Sequence, residues 1–497
     1  MANIDSSDFP RRESILFLLF ATLLLILTYN TVLRYEYGMW DDYTLLNAAR
    51  LDQTIQFTLL AANGRPLQAL FSWALFEGAG NVAGLVMIRL LALLGLIAFC
   101  LLLYRGLRRQ GWWALEAVAI ALGICTLPAF GVHVGWATMF HGILGGLAAW
   151  LAGEAAARWS SDGGPRLLTG AVLGLLVAMS FYQPAASLYW LAVAVALFPP
   201  GRAVTGVLVR AGRAGLVFVA TLAGYFATLR VVRWLYLDDP VFTGNHVRAQ
   251  LTDDPLAKLD WFLREPLLLV ASLGELGIQE LVAGAVLGLM LAGILVYVLR
   301  SGHWQALPVW LALLPAACVS NLLVAENATF YRVLAPLSAM LFFLLVWGLQ
   351  VLIAPPGPRP RALLALLLAL LTLGSSYGTY RYVREHIARL HAREWATVQS
   401  VLEQHYSRWA RVLVLTRPAF RHTVADLLPG LEYAMLTSSL PMGDIYQLAF
   451  AALHEDRAAP LVLICPVEQG SRQCPERVAR QRLPVVDLAS QLAPLRG

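Results

Sequence analysis

Two adjacent carboxylates, Asp41 and Asp42, stand in the run Trp40-Asp41-Asp42-Tyr43 just beyond the first long apolar stretch, residues 14–33. Ionisable groups at the rim of a membrane span are costly to keep and persist where they bind something or take part in chemistry. A sugar transfer that inverts the anomeric centre needs one carboxylate as general base for the attacking hydroxyl, and a cation to steady the leaving phosphate. Either Asp41 or Asp42 fits the base. Tyr35, Tyr37, Trp40 and Tyr43 flank the pair, and aromatic rings suit sugar faces, although they are also common at bilayer interfaces. The plainer reading is that one Asp caps the following helix while the other is solvated.

The cations of that chemistry have two candidates. Arg65 lies in Asn63-Gly64-Arg65-Pro66, within the same polar segment as the acidic pair, where the plainer role is a turn. Arg332, in Asn327-Ala328-Thr329-Phe330-Tyr331-Arg332, falls at the mouth of a later apolar run. There it either binds a lipid phosphate bidentately or snorkels. Asn327-Ala328-Thr329 also fits the glycosylation acceptor pattern, too short to weigh. Gln183, in Tyr182-Gln183-Pro184, offers an amide for a sugar hydroxyl or simply marks a proline turn. His133 and His141 are candidates for contact with a donor phosphate, against the bland role of helix packing; they have no neighbouring carboxylate to complete a metal pair. Asp238-Asp239 and Asp253-Asp254 are a possible divalent-cation set, each also a proline-linked turn.

These residues must be positioned by elements that cross a bilayer. The chain has 497 residues, 59% hydrophobic and only 14% charged, with a mean hydropathy of +0.64. That is the composition of an all-α polytopic membrane protein. Beyond residues 14–33, read as a retained span, apolar runs lie near 84–104, 112–130, 137–156, 167–182, 185–199, 208–233, 279–299, 305–324, 330–353 and 361–379, about eleven spans in all. The net charge of +6 does not indicate nucleic acid, because the arginines cluster in short loops. With the amino terminus in the cytoplasm, Arg105, Arg108, Arg109, Arg158, Arg166, Arg202, Arg210, Arg213, Arg300, Arg359 and Arg361 all fall inside, as the positive-inside rule expects.

Three far-side segments exceed the length of connectors. Residues 34–82 hold the acidic pair and a helical pattern suited to the bilayer interface, with Leu67, Leu70, Phe71, Ala74 and Leu75 on one face. Residues 234–279 hold the second set of aspartates. Residues 380–497 form a tail of ordinary polarity, set off from a transmembrane domain at 1–379. It reads as a small α/β module with strands at 411–415 and 461–464. Of five cysteines, Cys465 and Cys474 fall in this tail, where an oxidising periplasm would allow them to pair.

Asp41-Asp42-Tyr43, Gly64-Arg65-Pro66-Leu67, Tyr182-Gln183 and Tyr331-Arg332, in this order along the chain, resemble the membrane-embedded GT-C glycosyltransferases. Within them, the similarity is to the bacterial serotype-converting O-antigen glucosyltransferases. The resemblance implies a polyprenyl-phosphate sugar as donor, typically glucose, and a lipid-linked O-antigen or similar surface glycan as acceptor. The site would face the periplasm from the bacterial inner membrane. The acidic residue such enzymes use in their first external loop falls here on Asp41 or Asp42, with Tyr43, Arg65, His133, Gln183, Tyr331 and Arg332 around the substrates. No glycine-rich nucleotide fingerprint occurs in the cytoplasmic loops, which agrees with a lipid-linked donor. The alternative is a transporter or flippase of lipid-linked sugars, for which Arg89, Glu116 and Glu154 are the few ionisable groups inside apolar runs.

Overall fold

The structure, a computed structural model, describes residues 11–235, 251–272, 279–353, 358–404, 411–416, 448–449, 461–466 and 485–487. Asp238, Asp239 and Cys474 lie outside the described residues, and with them the paired-aspartate cation set and the proposed disulfide. In chain order the helices are α1 (Arg11–Arg34), α2 (Asp41–Arg50), α3 (Ile55–Ala62), α4 (Pro66–Ala79), α5 (Leu85–Arg109), α6 (Ala114–Cys125), α7 (Pro128–Gly135), a 3-10 turn (Ala137–Met139), α8 (Phe140–Asp162), α9 (Pro165–Phe181), α10 (Gln183–Ala186), α11 (Tyr189–Leu197) and α12 (Val207–Leu235). They continue as α13 (Pro255–Arg264), α14 (Pro266–Ala271), α15 (Gln279–Ser301), α16 (Ala306–Ala316), α17 (Val319–Leu323), α18 (Tyr331–Ile353) and α19 (Pro358–Tyr382). A π-helical turn (Val383–Ala388) then leads into α20 (Arg389–Gln404).

Among the described residues, six helices are long and apolar enough to cross a membrane, or seven if the bent pair α6 and α7 counts as one crossing. The difference from about eleven runs has local causes. Pro128 starts α7 after a 56° bend, and the Thr126 carbonyl freed there accepts from Ser375 Oγ at 2.8 Å and Thr379 Oγ1 at 2.5 Å. Tyr182-Gln183-Pro184 splits the runs at 167–182 and 185–199 into α9 and the short α10 and α11. The run at 305–324 breaks into α16 and α17 after Pro315, which lies inside α16. Helices α12, α15 and α19 turn large apolar side chains outward, among them Leu216, Val219, Leu281, Leu299, Leu366 and Leu370. With no water-soluble surface to match, such faces suit lipid.

The two ends of the assembly differ in chemistry. At one end Arg108 pairs with Glu13 at 2.8 Å, Arg109 with Glu154 at 3.5 Å, and Arg213 donates to the Ser160 carbonyl at 3.1 Å. Arg202 donates to the Gln110 carbonyl at 3.2 Å and Arg300 to the Val351 carbonyl at 3.1 Å. The other end gathers the C-termini of α1 and α9, the N-termini of α5, α8 and α18, and the short helices α2, α4 and α10.

In the tail, β1 (Arg411–Thr416), β2 (Leu461–Pro466) and β3 (Val485–Asp487) form a parallel sheet in the order β2-β1-β3. Leu448 and Ala449 are buried in one apolar cluster with Tyr43, Trp395, Val398 and Leu402. The tail therefore touches the membrane portion beside α2.

Candidate functional site

Trp40 takes φ 35° and ψ −104°, a left-handed conformation that is strained for a residue with a Cβ. Short hydrogen bonds hold it in place. The Asp42 amide donates to the Met39 carbonyl at 2.7 Å, and the Gly38 amide donates to the Tyr43 hydroxyl at 3.0 Å. The Asp42 carboxylate closes the turn and ties it to the loop before α8. Its Oδ2 accepts from the Met39 amide at 2.9 Å and the Ala137 amide at 3.3 Å. Its Oδ1 accepts from the Thr138 amide at 2.6 Å and the Thr138 hydroxyl at 2.5 Å.

The two carboxylates thus part company. Asp42 is wholly buried with four donors on it, and burial pushes its carboxyl up to about 6 despite the Thr138 and Met39 bonds that favour the anion. Asp41, in the first turn of the same helix, is exposed to solvent. One anchors; the other is available.

Arg89 supplies the compensating buried cation. Its guanidinium donates to the carbonyls of Val32 and Tyr37, both at 2.8 Å, and of Tyr35 at 3.2 Å, and it stacks 4.1 Å from the Tyr37 ring centre. Three carbonyls on one guanidinium fix the chain as it leaves α1, just before the acidic turn.

The second wall comes from sequence-distant segments. Arg65 donates from Nε to Gln183 Oε1 at 3.0 Å and lies 5.0 Å over the Tyr182 ring. Gln183 in turn donates from Nε2 to the Gly64 and Asn63 carbonyls at 2.9 and 3.3 Å, and the Tyr225 hydroxyl also donates to the Gly64 carbonyl. Gly64 has φ +79°, a conformation that favours glycine, and a Cβ there would lie 2.6 Å from Leu229 Cδ1 and force that side chain to shift. Tyr182 meets His141 edge-on at 5.0 Å and His133 at 6.1 Å. His133 bonds the Met139 carbonyl through Nδ1 at 3.3 Å and rests on Gly142, where a Cβ would come within 2.2 Å of its ring. Arg332 stacks 5.0 Å from the Trp136 ring centre, while the Trp136 indole donates to the Met39 carbonyl at 3.1 Å.

Trp136 therefore joins the two walls, with the acidic turn on its N–H and Arg332 on its ring. Arg65, His133 and Arg332 all lie within electrostatic reach of His141. His141 is buried with both ring nitrogens lacking a hydrogen-bond partner, the Thr138 backbone lying beside it outside bonding geometry. A concentration of donors and positive charge around an unsatisfied imidazole suits an anionic oxygen ligand.

Of the residues picked from sequence, Arg65, Gln183, His133, His141 and Arg332 converge here. Gln183 acts on the Asn63-Gly64-Arg65 loop, since both ends of its amide are engaged there, rather than presenting that amide to a sugar. Tyr43 is buried against Trp395, ring centres 5.7 Å apart, with its hydroxyl on the turn. Tyr331 packs edge-on to Tyr382 at 5.7 Å. Both tyrosines shape the surroundings. Asp254 caps α13, accepting from the amides of Leu256 at 3.1 Å and Ala257 at 2.9 Å. The Asn327 and Thr329 side chains are taken up by Lys258 at 2.6 Å and Glu265 at 2.9 Å. No group of three or more His, Cys, Asp or Glu side chains suited to a metal occurs among the described residues.

Sequence reasoning passed over Thr138 and Trp136, whose roles have no sequence signal, and it read Arg89 only as a sign of transport. Arg89 did carry a signal, being the only charged residue in positions 85–104. No protein-family model matches this chain, and no curated protein shows significant sequence similarity to it.

Proposed function

We propose that this chain is an inverting glycosyltransferase that moves a sugar, glucose in the first instance, from a polyprenyl-phosphate donor to a lipid-linked O-antigen or other surface glycan. The observation that carries this reading is the meeting of Arg65 and Arg332, from loops far apart in sequence, around Tyr182, His133 and His141, at the same end as the acidic turn. Arg65 and Arg332 would neutralise the donor phosphate, and His141 would add a donor to its oxygens, with His133 packed beside Tyr182. Asp41 would take the proton of the attacking acceptor hydroxyl, forming the new glycosidic bond as the sugar–phosphate bond breaks. Asp42 would serve that step by holding the turn rather than by exchanging protons with substrate.

The same reading includes a bacterial inner-membrane location with about eleven membrane passes, a cytoplasmic amino terminus, and a periplasmic α/β module at residues 380–497. The separation of the Arg108, Arg109, Arg213 and Arg300 end from the site end supports this orientation. A divalent cation remains compatible with this scheme and is not required by it. Among the described residues, the ionisable groups that the transport alternative would use are engaged structurally: Arg89 by three carbonyls, Glu116 by the Trp113 amide at 3.3 Å in capping its own helix, and Glu154 by Arg109.

The test is incubation of the purified protein in lipid with a panel of polyprenyl-phosphate sugars and surface-glycan acceptors, with product mass as readout. Asp41→Asn should abolish transfer while stability changes by no more than a surface substitution does, about 0.5 kcal/mol. Full activity of that variant would remove Asp41 as the base.

A further inference from the structure

The helix α20 lies across the first external turn and contacts it at Tyr35, Glu36 and Tyr37 and again at Tyr43. Arg389 Nε donates to the Tyr35 hydroxyl at 3.3 Å, and the Trp395 indole donates to Glu36 Oε1 at 3.1 Å. The His391 ring stacks on Tyr37 at 6.3 Å and 20°, and Trp395 meets Tyr43 at 5.7 Å. At the centre, His391 Nδ1 and Glu394 Oε2 are 2.8 Å apart, with side-chain exposures of 0% and 1%. Their remaining polar atoms, His391 Nε2 and Glu394 Oε1, have no hydrogen-bond partner.

Such a pair is a poor source of stability. Burying a carboxylate and an imidazole with half their polar atoms unmet costs desolvation that one bond does not return, and apolar residues of similar volume usually do as well. What the pair supplies is direction. Glu394 fixes the His391 ring through Nδ1, the ring lies along Tyr37, and Tyr37 in turn carries Arg89 on its face and donates its hydroxyl to the Gly135 carbonyl at 2.7 Å. Tyr37 thus links α20 to the residues immediately before Trp40, and Arg89 closes the link from the other side. The π-helical turn at Val383–Ala388 rotates α20 relative to α19, setting which face meets the turn.

We propose that His391 and Glu394 are positioning residues, a buried hydrogen-bonded pair that locks Tyr37 and so holds the Gly38–Asp42 turn, and with it Asp41, in working geometry. The role in catalysis rests on the glycosyltransferase reading above; the role in holding the turn does not. The segment leading into the tail is then part of the site.

The test uses full-length protein in lipid nanodiscs, with amide hydrogen exchange of residues 36–43 read beside kcat and donor KM. Glu394→Leu, which leaves no acceptor for His391, should raise exchange of the Gly38 and Met39 amides at least about tenfold, leaving residues 128–134 within about twofold. It should lower kcat at least about tenfold, with donor KM within about threefold. His391→Phe, which keeps ring packing but loses the bond, should behave alike, and the exchange of partners, H391E with E394H, should restore protection and kcat. Unchanged exchange in Glu394→Leu, a fully protected turn in His391→Phe, or no restoration in the swapped variant would each overturn the proposal. If exchange responds as described while the wild-type protein transfers no sugar from any donor, the positioning role stands and the glycosyltransferase reading falls.

Discussion

Replacing Thr138 by Val tests whether Asp42 is held as an anion by the loop before α8. Valine keeps the shape of threonine and removes one donor, the hydroxyl 2.5 Å from Asp42 Oδ1. A hydrogen bond to a charged group contributes about 1.5 to 3 kcal/mol, and one pKa unit corresponds to about 1.4 kcal/mol. Losing that bond should therefore raise the Asp42 pKa by about 1 to 2 units, from the value of about 6 set mainly by burial.

The sign of the pH dependence follows. A carboxyl whose folded pKa stands above its unfolded value gives stability that is fully present below the unfolded pKa, and loses it as pH rises through the folded pKa. In the wild type this loss ends soon after pH 6; in Thr138→Val it continues to about pH 7 to 8. The variant should match the wild type near pH 5, where Asp42 is protonated in both, and be less stable by about 2 kcal/mol at pH 8.5. With about 2 cal/mol/K of unfolding entropy per residue over 497 residues, that loss lowers the melting temperature by about 2 °C. Thermal unfolding in nanodiscs at the two pH values, with Thr138→Ser as control, measures it. A loss of equal size at both values would refute the anionic anchor and leave only a packing defect.

Three further outcomes follow from the same geometry. Arg332→Ala and Arg65→Gln should each raise the apparent KM for the lipid donor by about tenfold or more, since each removes a cation from the phosphate end; unchanged donor affinity, measured with a series of donor concentrations, would remove that residue from the site. Gly64→Ala should destabilise the protein by at least about 1 kcal/mol, the strain of a positive φ plus a collision with Leu229, read as a lowered melting temperature. Lys258→Met should loosen the loop ahead of α18. Its Nζ bonds the Glu326 carbonyl at 2.7 Å and Asn327 Oδ1 at 2.6 Å, and faster amide exchange across residues 324–330 checks this.

Much of the arrangement is legible in the sequence. The membrane character follows from long apolar runs, because lipid admits only helices or closed barrels whose backbone groups pair internally. The breaks at Pro128 and Pro184 were visible as prolines, yet their effect on the number of long helices was not, since hydropathy sums over a proline that a helix cannot ignore. Arg65, Gln183, His133, His141 and Arg332 were each legible as polar residues at the ends of apolar runs. That they form one wall was not, because the contacts join positions more than a hundred residues apart, such as Arg65 with Gln183.

The sequence by itself determined that this chain is built of apolar helices, that its arginines gather in short loops, and that an acidic pair follows the first helix. Composition and proline placement suffice for that, as they act locally and through solvent. Only the tertiary structure decided which carboxylate is an anchor and which is exposed, because adjacent residues at a helix start point in different directions and Thr138, 96 positions away, captures Asp42 alone. The same holds for His391 and Glu394, three residues apart on one helix, whose meaning comes from the Tyr37 ring that folding brings against them.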